Sequence, residues 1–322
     1  MWTKAFISAG LICQLLAAAA LGAAQPEDGE IRPGDVYARL ELLTQEIELV
    51  RAEMGAPKDD RPMVVVQNAE PRHNYFQALT LCRNSQRLCL DFTGAEGEYP
   101  PPAPRVAQPA DVAGVISASL VSVRRVKTHL GLTQQVQLPA RQAEKTPSDV
   151  FPLLTQANRQ LRLMLDSQPT PTAVYEQLTE AVGAANRLLA RFPSAAPPQS
   201  PAFERGKTPA DVHGRLMHCA EHIGAIIQRS GSSTIRVDYK LTPAQIRPGD
   251  VYELASLIVS DLRYLESNLP RAPGTAAFTD SEAGRKLPSH NFQRAGLLEA
   301  QLTELQKQVE AAPGWLKPAA SK

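Results

Sequence analysis

The stretch IRPGDVY stands at Ile31–Tyr37 and again, residue for residue, at Ile246–Tyr252. Its proline and the aspartate two residues later decide how the chain is built. A proline in the first turn of a helix has no N–H to leave unpaired, and its φ is already helical. An aspartate at the third position meets the free N–H groups and the positive end of the helix dipole. The stretch therefore reads as a helix start, and others of its kind recur at a fixed interval. Pro33, Pro71, Pro109 and Pro147 are 38 residues apart, and Pro171, Pro209, Pro248 and Pro288 are spaced by 38, 39 and 40. Thr146, Thr170 and Thr208 precede three of these prolines as N-caps, and Asp35, Asp111, Asp149, Asp211 and Asp250 hold the third place.

Apolar residues after each proline recur with a period of 3.5. From Val36, steps of four and three reach Leu40, Leu43, Ile47, Val50 and Met54; from Val251 they reach Ala255, Ile258, Leu262, Leu265 and Leu269. Val112, Val150, Val174 and Val212 open equivalent series, and Asn74 and Asn291 open the remaining two. A seam kept in one register over eight segments is that of bundled helices packing knobs into holes. The spacing predicts an all-α protein of eight helices of about 20 residues, arranged as two four-helix bundles. The expected bundles are 25–168 and 169–312, with 313–322 as a tail. The short Pro147–Pro171 interval predicts that the fourth and fifth helices form an antiparallel hairpin. The other connections are long and rich in proline and glycine. About 16 extended residues reach 50 Å, more than a 20-residue helix, so a loop can return to its starting end. The sequence leaves that route and ordinary up-down packing both open. The period exceeds that of tetratricopeptide repeats, and their Trp/Gly/Tyr pattern is missing.

The first 24 residues carry one charge, Lys4, ahead of an apolar run that closes on Gly22-Ala23-Ala24. That order reads as a secretory leader cleaved after Ala24, with a retained anchor as the alternative, and points to a periplasmic or secreted protein. No later stretch is apolar enough to span a membrane. Without Lys4 the chain carries 33 basic and 33 acidic residues, which leaves no electrostatic footprint for nucleic acid. Cys82, Cys89 and Cys219 do not make a disulfide framework. The first two lie seven apart on one expected helix, beyond bridging distance.

Chemistry-bearing residues are few. His218-Cys219-Ala220-Glu221-His222 has the H-x-x-E-H form, and two histidines at i and i+4 can share a metal, with His213 one turn earlier as a third candidate. Cys219 falls on the apolar seam, which favours packing over ligation. His73-Asn74 and His290-Asn291 recur at equivalent helix starts, as helix initiators, as pairing determinants or as pocket lining. Tyr37, Tyr75, Phe151, Tyr175, Tyr252 and Phe292 each follow their proline by four residues, either covering the bundle ends or forming an aromatic belt for a partner. No nucleotide, dinucleotide, haem or nucleophile-elbow fingerprint is present, so no cofactor is expected. These features rank an exported non-catalytic protein that binds or scaffolds a protein or envelope component first. A metal- or small-ligand-binding bundle using His218 and His222 comes second, and a zinc hydrolase third.

Overall fold

A computed structural model describes residues 30–269, 284–312 and 314–315; the expected leader lies outside them. The described residues form eight helices, each opening on its proline: α1 Pro33–Glu53, α2 Pro71–Thr93, α3 Pro109–His129, α4 Pro147–Met164, α5 Pro171–Leu189, α6 Pro209–Arg229, α7 Pro248–Ser267 and α8 Pro288–Ala311. The aspartates do what their position requires. Asp35, Asp111, Asp149, Asp211 and Asp250 each accept the backbone N–H of their own N-cap at 2.7–2.9 Å. The two asparagine helices have histidine at that place, and His73 and His290 accept the same bond through Nδ1 at 2.9 and 3.0 Å.

Helices α1–α4 enclose one apolar core and α5–α8 another, each built on the expected seam. Within the first core α1 packs on α3 and α4, and α2 on the same two; within the second α7 and α8 each pack on α5 and α6. All helices of a bundle point the same way. Pro33, Pro71, Pro109 and Pro147 surround a single small cavity, closed below by Val36, Asn74, Val112 and Val150. Four helix starts, 38 residues apart, thus make one layer. Cross-helix bonds confirm the direction, because parallel helices keep a constant difference in residue number. Arg39–Ser117 and Glu46–Arg124 both differ by 78, and His218–Glu299, His222–Thr303 and Arg229–Glu310 all differ by 81.

Parallel order makes the described connections inside a bundle travel back along a helix, and small residues let them lie close. Gly97 passes where a β-carbon would meet Gln86 and Ser122, while Glu98 is held by both of those side chains. Pro101 rests on Gly114 of α3 and Pro201 on Gly296 of α8.

The α4–α5 interval joins antiparallel helices, as expected, but corrects the hairpin, because the two do not pack on each other. α4 packs on α1 and α2, and α5 packs on α7 and α8, so the short link passes the chain between bundles. Asp250 and Glu253, at the start of α7, face Arg159 and Arg162 in the last two turns of α4. Asp261, about three turns further on, faces Arg72 and His73 at the start of α2. The bundles therefore run in opposite directions. A two-stranded antiparallel ribbon spans the junction, β1 Val65–Gln67 from the α1–α2 connection and β2 Arg236–Asp238 from the α6–α7 connection. Val64, Ala69, Phe151, Tyr239 and Leu257 form a third small core beneath it, and the whole is one compact unit.

Candidate functional site

The three histidines of α6 do not converge. Five residues of helix between His213 and His218 turn about 140°, and nine between His213 and His222 turn about half a circle. His218 and His222 face α8: Nδ1 of His218 lies 3.3 Å from Glu299, and Nδ1 of His222 donates to Gln306 at 2.7 Å, with Thr303 3.3 Å from Nε2. His213 faces the junction, its ring edge-on to Tyr239 at 5.3 Å. Burial lowers its pKa, against a smaller opposing pull from Asp250, and its Nε2 has no partner. Among the described residues no three His, Cys, Asp or Glu side chains gather into a group able to hold a metal ion. Glu221 turns instead toward a cleft between α6 and α7. Cys82, Cys89 and Cys219 are buried free thiols. Burial pushes Cys82 and Cys219 above the ordinary thiol range, which suits packing rather than nucleophilic work.

The His-Asn pairs have a structural explanation. His73 accepts its cap N–H at Nδ1, so its proton sits on Nε2, 2.9 Å from Asp261. Burial keeps the ring neutral despite that carboxylate, and both nitrogens are occupied. The adjacent asparagine joins two helices: Asn74 Nδ2 donates to Pro147 O of α4, and Asn291 Nδ2 to Pro171 O of α5, each at 3.0 Å. Histidine thus initiates its own helix, and asparagine selects the neighbour. Tyr37, Tyr175, Tyr252 and Phe292 carry cations on their faces, Lys145 over Tyr37 at 4.6 Å and Arg215 over Phe292 at 3.6 Å among them, while Phe151 is buried in the third core.

The functional interest moves to α7, which its opening residues present as a twin of α1. Every residue from Gly249 to Leu262 is buried, because one side of α7 fills its own bundle and the other meets the first bundle. Two clefts flank this helix. One, of about 340 Å³, lies between α6, α7 and β2. Met217, Ala220, Gly224, Ile235, Leu257 and Ile258 give it an apolar wall, and Glu221, Gln228 and Arg236 stand at the exposed rim. Gly224 and Ala225 keep this face of α6 low. The other, of about 260 Å³, lies where α2 and α4 meet α5 and α7, and is lined by arginines and amides.

Comparison of the chain with protein-family models, curated proteins and solved structures finds no match.

Proposed function

We propose that this protein is an exported, non-catalytic binding protein, acting in the periplasm or outside the cell on a protein or envelope component, and that it receives an apolar segment of that partner in the α6–α7–β2 cleft. The cleft carries the reading. It offers a largely aliphatic wall, interrupted by the buried Thr234 and Asp261 and bounded by exposed polar rim residues, the composition of a site that takes an apolar group and orients it by a few polar contacts. Small residues on α6 leave room that larger side chains would close. The buried groups with catalytic potential support it from the other side: His73 has both nitrogens engaged, and Cys219 is packed in the seam. The leader-like N-terminus supports export. No described helix is long and apolar enough to cross a membrane.

The test uses the uncharged fluorophore N-phenyl-1-naphthylamine and the processed full chain. Saturable binding to one site is expected, weakened at least about tenfold by Ala220→Trp, which fills the cleft from a partly buried position beside the seam and should leave the circular dichroism spectrum unchanged. No saturable uptake, or uptake indifferent to Ala220→Trp, would remove the cleft from the proposal. The intact mass of the exported chain tests the compartment separately: loss of residues 1–24 is expected.

A further inference from the structure

We propose that the second cleft, at the junction of α2, α4, α5 and α7, is a binding site for a small oxyanion, a phosphate or carboxylate group. This goes beyond the apolar cleft and rests on different residues. Three guanidinium groups, Arg83, Arg87 and Arg162, contribute to its walls, and no carboxylate does. Arg162 is buried and pinned: Nη1 donates to Glu253 at 2.7 Å, while Nη2, equally enclosed, has no hydrogen-bond partner. A buried guanidinium nitrogen without an acceptor is costly, and an oxyanion in the adjoining cleft supplies one. Arg83 has no carboxylate partner among the described residues, only a long 3.5 Å contact to Thr80 and the face of Tyr252 at 5.8 Å. Arg87 pairs with Asp91 at the exposed side.

The rest of the cleft fits the same ligand. Asn84, Ser167 and Gln168 bring neutral hydrogen-bonding groups that add no negative charge. Ala173, in the first turn of α5, forms part of the wall and places the positive end of that helix dipole beside it. Arginine suits this role because its planar fork binds two oxygens of a phosphate or carboxylate at once. A volume of about 260 Å³ admits the anionic group with a few further atoms, not a polymer.

Calorimetric titration of the full processed chain with inorganic phosphate tests the proposal, in low salt so that screening does not mask it. A parallel titration uses phosphatidylglycerol vesicles, with phosphatidylcholine vesicles as the uncharged control, and separates a free phosphate from a lipid headgroup. Saturable binding of phosphate, or of phosphatidylglycerol but not phosphatidylcholine, is expected. Arg83→Gln, at an exposed position, should weaken it about tenfold, the loss of one charge-assisted contact, with an unchanged circular dichroism spectrum. Arg162→Lys, which keeps the charge opposite Glu253 but removes the fork, should weaken it as well. Absence of binding by both probes overturns the proposal. So does binding that neither variant alters, and both results leave the apolar cleft untouched.

Discussion

Gly34 and Gly249, the glycines of the two IRPGDVY stretches, show how one residue serves two surroundings. A β-carbon on Gly34 would collide with the backbone carbonyl of Gln142, in the connection that returns over α1; on Gly249 it would lie 2.5 Å from Arg162 Nη1. Gly34→Ala should therefore cost ~1–3 kcal/mol, as overpacking against backbone does. Gly214, inside α6 with nothing within 4 Å of its would-be β-carbon, is the control. Gly214→Ala should gain ~0.5–1 kcal/mol by removing freedom from the unfolded chain. Urea midpoints of the two variants should move in opposite directions. The buried histidines make a second prediction at this scale. Burial lowers the pKa of both His73 and His213. Their unfolded values lie near 6.5, so below about that pH the unfolded chain takes up protons the folded chain refuses, and stability falls. Asp261, whose pKa stays below the carboxylate range beside His73 and Arg72 despite burial, acts in a lower window, contributing above about 3.9 and losing that contribution as the pH drops further. Melting temperature followed from pH 7 to 5 should decline. His213→Leu should flatten the decline by at most one proton, ~1.4 kcal/mol per pH unit.

The first layer of each bundle is where neighbouring helices are chosen. Asn74 and Asn291 donate to the opening carbonyls of α4 and α5, so these two helices occupy the same place in their bundles although their own starts, TPSDVF and TPTAVY, differ. Asn74→Ala and Asn291→Ala should each cost ~1 kcal/mol, one buried hydrogen bond, and the double variant should be additive because the two bonds share no partner. A double-mutant denaturation series checks both statements. Each helix start was legible in the sequence because proline and aspartate act within one turn, and the seam was legible because its period is local too. Helix direction was not. Connections of this length reach either end of a helix, and it takes contacts between helices, such as the Asn74–Pro147 bond and the shared layer of Pro33, Pro71, Pro109 and Pro147, to decide it. The hairpin expectation held for direction and failed for packing, for a related reason: a short link fixes where α5 begins but not which core it enters. Four parallel helices also bring four positive dipole ends together. Asp35, Asp111 and Asp149 offset three of them in the first bundle, and each offset is worth ~0.3–1 kcal/mol.

At the scale of the molecule, α7 is what turns two bundles into one unit. Its identity with α1 over seven residues concealed this. The difference lies further on, in Leu254–Ser260, a run without a charge where α1 has Arg39 and Glu41. A run of seven residues without a charge covers every side of a helix and so signals a second partner, yet the two clefts that flank α7 were not legible, since they are assembled from residues far apart in the chain. Spacing drew attention instead to His213, His218 and His222, of which helix geometry keeps the last two on the α8 side and turns His213 to the junction. The junction rests on charges as well as on apolar contact. Glu253 is fully buried against Arg162, and its other oxygen has no partner; burial raises its pKa against the pull of Arg162. Removing only one member strands the other in a dry setting, which costs ~3–5 kcal/mol, whereas replacing both by apolar residues is often close to neutral. Arg162→Met should therefore destabilise strongly, and Arg162→Met with Glu253→Leu should recover most of the loss. Because the pair joins α4 of one bundle to α7 of the other, the single variant should also weaken the coupling between the two cores. The wild-type chain should unfold in one calorimetric transition, Arg162→Met should broaden or split it, and the double variant should restore a single peak. If the single variant keeps one sharp transition at the wild-type temperature, the pair does not hold the bundles together, and the third core around Phe151 and Tyr239, with the contacts of Asp250 and Asp261 to the first bundle, must carry that coupling.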